Sequence, residues 1–549
     1  MRDARTRTRG RLLFPALAGI AAAIVAVGVG ELVAAVVAPE SAPITVVGAA
    51  LIDLAPTWAK DAAIALFGTA DKVALVVGIL LLLVVVAGLA GVLQVRRPPW
   101  GSVVFLALGV VGAIAAATRA GAGMLAIVPA AAAGIVGAVA VMVLARRWPE
   151  AAAGSGSPEA SVAPAASVAS GASVAPVVPV ASGASAGSGA SAPVPDRRRF
   201  LAWAGGAAAI GVLAALAGSA LQTGRRAVQA VRDLVQLPSP TATATIPAGA
   251  ELDLDGLAPV VTPNAEFYRI DTALRVPEID PADWSLRIHG MVAREVTVTW
   301  DELLELPFAE SVTTLACVSN EVGGGLIGNA VWLGYPIREL LARAGPDPSA
   351  DMVLSRSIDG FTASTPLEVL QDDRAAVLAI GMNGEPLPLE HGFPARLVVP
   401  GLYGYVSATK WVTELEVTRF DEASAYWTDR GWSERGPIKL QSRIDVPRQG
   451  QRPAAGTVVV AGVAWHQHVG ISAVEVRVDE GPWREAELAT AISADTWVQW
   501  RFEWADASAG SHTLQVRATG ADGAVQTGEQ QGVIPDGATG WHTVRVDVA

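Results

Sequence analysis

The chain has 549 residues, of which 52% are hydrophobic, and a formal net charge of −12. This length is too great for one ordinary domain, and the acidic balance argues against a nucleic-acid partner, which would require a basic face. The single cysteine, Cys317, excludes a disulfide bond within the chain. A lone cysteine is most often a small buried hydrophobic residue, so composition alone gives it no function.

Five apolar segments precede residue 222, and a bilayer-crossing helix takes about 20 residues. They are residues 12–38, 73–95, 103–118, 125–145 and 200–221. Arginines cluster at the N-terminus, at Arg96 and Arg97, and from Arg146 to Arg199. Basic residues favour the cytoplasmic side of a membrane, so we predict a multi-pass protein of the cytoplasmic membrane whose residues after the fifth span are extracytoplasmic. Residues 43–69 are apolar but charged in three places and predict a loop or an interfacial helix; a sixth span there would reverse the topology.

We divide the N-terminal half into a transmembrane region of about four spans at 1–149, a linker at 150–196 and a fifth span at 197–222. The linker is rich in Ala, Ser, Gly, Val and Pro, and predicts a flexible tether. Arg197, Arg198 and Arg199 lead into the fifth span and resemble a twin-arginine export signal, which implies export of a folded domain; a plain positive-inside anchor is the alternative. No histidine precedes His289, so the spans cannot offer two axial histidines and we expect no haem in this chain.

The C-terminal half has the patterns of two further domains. After a Pro/Thr/Ala-rich connector at 223–250, strand-like alternation at 284–289 and 295–300 is followed by short helices from Trp300 and at 337–344, the latter closed by Gly345. The predicted fold class is therefore multi-domain: an all-α transmembrane bundle, an α+β domain at 251–447 and an all-β sandwich at 448–549, where short amphipathic strands repeat.

Two segments of this half resemble the sulfite oxidase family. One is Thr314 to Asn320, with Cys317 three residues before Asn320; the other runs from His391 to Trp411 and is preceded by Asn-Gly-Glu-Pro-Leu-Pro at 383–388. The resemblance extends over about residues 250–549. It implies a molybdenum–molybdopterin cofactor, Cys317 as the metal ligand, and an immunoglobulin-like C-terminal domain through which a homodimer forms.

The resemblance also implies which residues contact the cofactor. These are Arg269, Asp271, Cys317, Asn320, Asp359, His391, Arg396, Ser407, Thr409 and Lys410. Asn320 could equally cap a turn. Their chemistry is suitable, because a thiolate is a soft ligand for molybdenum. The terminal phosphate of the pterin is a dianion that Arg396 can bind through two hydrogen bonds, Lys410 as a point charge and His391 through a hydrogen bond.

The sequence departs from the family at two positions near the expected substrate site. Sulfite oxidases have an arginine just after Cys-x-x-Asn, where this chain has Glu321, and a tyrosine near the end of the cofactor domain, where it has Trp432. Arg430 could still supply positive charge, so the candidate catalytic residues are Cys317, Glu321, Arg430 and Trp432. A carboxylate beside the metal would repel sulfite unless a cation compensates. We therefore predict two-electron oxygen-atom transfer on a small sulfur or nitrogen oxo compound, either sulfite-oxidase-like or as a sulfoxide or N-oxide reductase or protein-repair enzyme.

The sequence also allows other functions and requires partners. A non-catalytic, membrane-tethered β-sandwich scaffold would leave the run from His391 to Trp411 unexplained, and a transporter would show repeated pairs of spans. An enzyme with one visible redox site needs a separate electron-transfer protein, either a cytochrome or a quinone-linked protein. His466 and His468 have a spacing that can bind metal from one face of a strand, but without a third ligand nearby we predict a surface pair.

Overall fold

The computed structural model describes residues 2–38, 41–55, 59, 66, 71–119, 123–147, 197–221 and 224–549. The chain divides into two compact units, Met1–Gln222 and Thr223–Ala549. The predicted tether at 150–196 lies outside the described residues.

The described part of the first unit is helical. Its helices are α1 (Arg2–Val37), α2 (Pro43–Leu54), α3 (Asp71–Arg96), α4 (Trp100–Ala117), α5 (Val128–Arg146) and α6 (Arg197–Leu221), with a 3-10 turn at Met124–Ile127. Five helical segments in the described ranges are long and apolar enough to cross a membrane, and they coincide with the five predicted spans. In the predicted interfacial segment, α2 has 12 residues, which is too short to cross a bilayer. The described part of this unit thus has the helices of a multi-pass membrane protein.

Small residues allow the helices of this unit to approach closely. Where α4 and α5 cross, a Cβ placed on Gly109 would lie 2.8 Å from the Cα of Gly134. Backbones this close leave no room for a larger side chain, as is common where membrane helices pack. One buried polar pair connects two of these helices: Gln94 Oε1 accepts hydrogen bonds from the Ser102 backbone N–H at 2.8 Å and from its hydroxyl at 3.3 Å.

The second unit begins with α7 (Gly224–Leu234), inside the segment expected to be a connector. Val228 is buried, and Arg232 donates from Nε to the Leu387 carbonyl at 2.8 Å and pairs through Nη2 with Glu385 at 3.1 Å. Further on, Thr241 donates its backbone N–H to the carbonyl of Phe308 at 2.7 Å. The connector is therefore packed against the domain that follows it.

The α+β domain contains two five-stranded sheets. Its strands are β1 (Ser285–Gly290), β2 (Val296–Thr299), β3 (Ala309–Ala316), β4 (Ile327–Pro336), β5 (Met352–Ser357), β6 (Thr362–Pro366), β7 (Val377–Met382), β8 (Glu385–Pro386), β9 (Arg396–Val398) and β10 (Val412–Thr418). One sheet has the order β2-β1-β10-β5-β6; the other has the order β3-β4-β7-β8, with β9 also paired to β7. The short helices are α8 (Trp300–Leu304), α9 (Ile337–Ala344), α10 (Leu367–Gln371) and α11 (Gly404–Ser407).

The sequence signals for the first two of these helices are confirmed. Thr299 caps α8 in a capping box, in which Glu302 Oε2 accepts the Thr299 N–H at 2.9 Å. Helix α9 ends at Gly345, whose φ of 69° favours glycine because it lies in the left-handed region.

The C-terminal strands form two four-stranded sheets, which confirms the predicted sandwich. They are β11 (Gln441–Val446), β12 (Gly456–Trp465), β13 (Ile471–Val478), β14 (Arg484–Glu485), β15 (Glu487–Leu488), β16 (Val498–Ala507), β17 (Gly510–Gly520) and β18 (His542–Val548). The orders are β11-β12-β16-β15 and β14-β13-β17-β18. The buried faces share one apolar core that includes Val474, Val476, Trp500 and Phe502.

The sequence suggested that His466 and His468 could share one face of a strand, but the structure places them outside one. Strand β12 ends at Trp465, and His466 and His468 occupy the turn that follows. His468 Nδ1 lies 3.1 Å from Asp495 Oδ1. Within the described ranges, no three His, Cys, Asp or Glu side chains come together as metal ligands.

Candidate active site

A cavity in the α+β domain brings together side chains that are distant in sequence. It encloses about 900 Å³ of empty space, a volume that includes the open solvent at its mouth. Seven of the predicted site residues line it: Asp271, Cys317, Asp359, His391, Arg396, Lys410 and Trp432.

Cys317 lies at the start of the loop that joins β3 to β4. Its N–H donates to the Leu326 carbonyl at 2.9 Å, and its carbonyl accepts the N–H of Asn320 at 3.0 Å, so the backbone on both sides of the thiol is fixed. Burial raises the pKa of the Cys317 thiol, and hydrogen bonds from the backbone and hydroxyl of Ser319 act in the opposite direction. A bound cation would favour the thiolate, because coordination to a metal ion deprotonates a thiol.

Arg396 is a buried cation on β9, with 5% of its surface exposed. Its guanidinium donates to the carbonyls of His391 at 3.1 Å and Ala408 at 3.4 Å, and lies 5.1 Å from the ring centroid of Trp332. Burial lowers its pKa to about 10, so it remains charged at neutral pH. Among the described residues it has no carboxylate partner. A buried charge without a counter-charge is costly, and the cost is relieved when an anion binds.

Lys410 is a second buried cation, and it is paired. Its Nζ lies 2.7 Å from Asp271 Oδ2 and donates to the carbonyl of Glu390 at 2.9 Å. Burial lowers the pKa of Lys410 to about 8, although the charge of Asp271 acts to raise it. The ammonium group also lies 4.6 Å from the ring centroid of Trp411.

His391 contributes a neutral ring. Burial and then the charge of Arg396 lower its pKa to about 4. Its Nε2 lies 3.1 Å from the backbone carbonyl of Asn264, which requires a proton on that nitrogen.

These residues fit a pterin cofactor that ends in a phosphate. Arg396 and Lys410 supply two buried positive charges, of which Asp271 offsets one, and both side chains line the same cavity as Cys317. The donor set therefore suits an anionic group at one place and a soft metal ligand at another.

Two predicted cofactor contacts have other partners. The Ser407 hydroxyl donates to the carbonyl of Tyr403 at 2.9 Å, and the Thr409 hydroxyl lies 2.7 Å from that of Ser355. Neither residue lines the cavity, because both side chains point into the fold and brace the segment between β9 and β10.

Asn320 and Glu321 both lie outside the cavity, and Asn320 has the turn-capping role that the sequence left open. Asn320 Oδ1 accepts the N–H of Leu326 at 2.8 Å and so closes the loop. Glu321 is exposed, and neither residue lines the cavity. The turn that fixes Cys317 has already reversed the chain at Asn320, so Glu321 does not share the cavity with the thiol.

Arg430 and Arg269 lie outside the cavity lining as well. The Arg430 guanidinium stacks on Tyr426, 3.6 Å from the ring centroid, and donates to the carbonyl of that residue at 2.7 Å. Arg269 is 40% exposed and pairs with Asp271 Oδ2 at 2.9 Å. The predicted Asp359 does line the cavity; it accepts a hydrogen bond from the Thr272 hydroxyl at 3.3 Å.

Aromatic side chains form one part of the cavity lining. Of the four described next, the sequence predicted only Trp432 as a site residue. We call Phe361, Tyr405, Trp427 and Trp432 the aromatic wall, since all four line the cavity. The ring centroid of Trp432 lies 5.9 Å from that of Tyr405 and 6.2 Å from that of Trp427. Tryptophans in a globular sequence are mostly core residues, so only the three-dimensional structure could distinguish these.

Comparison with known proteins gives the class. Residues 273–427 match the family model of the oxidoreductase molybdopterin binding domain. The uncharacterized oxidoreductase YuiH of Bacillus subtilis (strain 168) is 31% identical over 157 residues, which are 29% of this chain and 76% of that protein. The chain belongs to the sulfite oxidase family of molybdopterin-binding oxidoreductases.

Other matches extend over more of the chain. The mitochondrial sulfite oxidases of Rattus norvegicus and Homo sapiens are each 31% identical over 271 residues, which are 42% of this chain and 49% of those proteins. The chain thus spans about half the length of these relatives. Among solved structures, the sulfane dehydrogenase SoxCD from Paracoccus pantotrophus is 26% identical, covers 50% of this chain and 75% of its own, and gives a TM-score of 0.45.

Proposed function

We propose that this protein is a membrane-anchored molybdenum–molybdopterin oxidoreductase that transfers an oxygen atom to or from a small sulfur or nitrogen oxo compound on the extracytoplasmic side. The observation that carries the proposal is the presence of Cys317 in one cavity with Arg396, Lys410 and His391. The five apolar helices and the arginine clusters support the membrane location and the orientation.

Each residue has a task in this proposal. Cys317 supplies the protein ligand to molybdenum, and the cofactor when bound supplies the two-electron oxygen-atom chemistry. Arg396 and Lys410 bind the phosphate of the pterin, and Asp271 holds the Lys410 ammonium in place. His391 is neutral and donates its one ring proton to the Asn264 carbonyl, so its Nδ1 can accept a hydrogen bond from the cofactor without adding a third charge.

The aromatic wall favours a neutral organic substrate over sulfite within this proposal. Glu321 is exposed and away from the cavity, so it does not itself repel an anion there. The two cations of the cavity are assigned to the phosphate, however, and the remaining lining is rich in aromatic rings that bind apolar groups. An organic sulfoxide would take two electrons and two protons to give a sulfide and water, with a cytochrome or a quinone-linked protein supplying the electrons.

Metal analysis tests the class. We expect about one molybdenum per chain in protein made in a host that synthesises the pterin, and a changed molybdenum EPR signal or lost activity in Cys317→Ser. A folded protein from such a host without molybdenum would contradict the proposal and favour a tethered, non-catalytic scaffold.

Steady-state assays test the substrate class. We expect the loaded protein to reduce an organic sulfoxide with a reduced viologen dye faster than it oxidises sulfite with an artificial acceptor. Trp427→Ala should raise KM for the sulfoxide about tenfold, since a lost aromatic contact costs roughly 1 kcal/mol or more. Faster turnover of sulfite, with no effect of Trp427→Ala, would favour the sulfite-oxidase-like activity.

A further inference from the structure

The loop that carries Cys317 is held by the C-terminal sandwich as well as by its own domain. The loop joins β3 to β4, whose last paired residues are Ala316 and Ile327. Arg443, on strand β11 of the sandwich, donates from Nη1 to the carbonyl of Gly324 in this loop at 2.8 Å.

Arg443 is buried and is fixed by partners of its own. Its Nε lies 2.6 Å from Asp445 Oδ1, with 10% and 11% of the two side chains exposed. Asp445 Oδ2 also accepts the N–H of Ala258 at 3.2 Å, and the guanidinium lies 5.9 Å from the ring centroid of Trp497. A buried ion pair seldom stabilises a fold more than an apolar pair of the same shape would. The role of the Arg443–Asp445 pair is therefore to orient the guanidinium towards the carbonyl of Gly324.

His542 supports the same loop from the first residue of β18. Its Nδ1 accepts the N–H of Ile444 at 2.9 Å, which orients the ring. The ring lies against Gly323, where a Cβ would clash with the imidazole, and the φ of 78° at Gly323 also favours glycine. The loop therefore approaches the sandwich at backbone distance.

The sandwich also holds the strand that enters the loop, three residues before Cys317. Thr314 donates its N–H to the carbonyl of Asp495 at 3.1 Å, and its hydroxyl oxygen accepts the N–H of Trp497 at 2.8 Å. The carbonyl of Thr314 accepts a hydrogen bond from Gln467 Nε2. Cys317 thus lies between two stretches of backbone that are fixed by the same neighbouring domain.

We infer that the C-terminal sandwich positions the molybdenum ligand, with Arg443 and His542 as positioning residues that act through the backbone of Gly323 and Gly324. The inference rests on the proposed function, since Cys317 must be the metal ligand. It gives the sandwich a task in the active site that is independent of dimer formation.

The test uses the full-length protein, both loaded and cofactor-free. The double variant Arg443→Met/Asp445→Asn removes the hydrogen bond to Gly324 without leaving an unpaired buried charge. Its matched control is Arg501→Met/Glu487→Gln, an ion pair of the same sandwich whose side chains are 42% and 63% exposed. The measurements are hydrogen exchange of the segment 317–326 and the molybdenum EPR signal, together with kcat, KM and the thermal unfolding midpoint.

We expect exchange of the segment 317–326 to become at least tenfold faster, with and without cofactor, only in the Arg443 variant. The molybdenum EPR signal should change and kcat fall about tenfold, while KM and the molybdenum content remain those of the parent.

If exchange and EPR in this variant equal those of the control, the inference is wrong. If the double variant does not fold, His542→Ala is measured in the same way and decides by the same criteria. A parent protein that binds no molybdenum contradicts the proposed function, and the hydrogen-exchange result remains a separate observation.

Discussion

At the scale of single residues, Arg396 has the clearest task. Its guanidinium is buried among carbonyl oxygens and the ring of Trp332, without a carboxylate partner in the described ranges. Folding around such a charge is unfavourable unless a ligand compensates, so the residue indicates an anion site more directly than Lys410, which is paired with Asp271.

We predict that Arg396→Gln reduces retention of the pterin cofactor at least tenfold, because a charge-assisted hydrogen bond to a phosphate contributes about 1.5–3 kcal/mol. Pterin and molybdenum content after gel filtration measure the effect. Arg287→Gln, which removes an exposed ion pair with Glu295, should retain the parent content. Equal retention in both variants would show that Arg396 does not bind the cofactor.

His391 gives a prediction on pH. Its pKa is about 4 in the folded protein against an ordinary 6.5, so between these values the unfolded chain binds the proton more readily and stability rises with pH. Stability is therefore lost as the pH falls from 6.5 towards 4, by up to roughly 3 kcal/mol from this residue. Urea unfolding of the cofactor-free protein at pH 7 and pH 4.5 should give a smaller difference for His391→Gln than for the parent. An unchanged difference would contradict the assignment.

At the scale of elements, the helices of the first unit are placed by contacts between glycines. Hydropathy predicts that these segments cross a membrane, but it does not specify which faces meet. A Cβ placed on Gly109 would lie 2.8 Å from the Cα of Gly134, whereas a Cβ placed on Gly78 would have no neighbouring atom within 4 Å.

We predict that Gly109→Leu separates α4 from α5 and lowers the unfolding midpoint of the detergent-solubilised protein by several degrees, since overpacking costs about 1–3 kcal/mol. Gly78→Leu is the matched control and should leave the midpoint within about a degree. Similar midpoints for the two variants would contradict the close crossing.

At the scale of the whole molecule, the proposed orientation has a direct test, because Cys317 is buried and is the only cysteine. In a Cys317→Ser background, we expect a membrane-impermeant maleimide to label Thr527→Cys in intact cells. Ser161→Cys, in the predicted cytoplasmic linker, should be labelled only after lysis. The opposite pattern would reverse the topology and would favour a sixth span within 43–69.

The sequence by itself determined the classes of the elements and the identity of the metal-ligand candidate. Hydropathy and alternation depend on local composition, so the five spans, the capped helix α8, the end of α9 at Gly345 and the sandwich strands could all be predicted from it. The motifs around Cys317 and from His391 to Lys410 were likewise sufficient to select residues that line one cavity.

Only the tertiary structure decided which polar side chains face that cavity. Asn320, Ser407 and Thr409 belong to the same motifs as Cys317 and Lys410, but their oxygens form hydrogen bonds within the fold. The connector helix, the aromatic wall and the contact of Arg443 with Gly324 join segments far apart in the chain. The physical reason is that a local pattern fixes the backbone of an element, whereas the direction and partner of a side chain depend on what packs against that element.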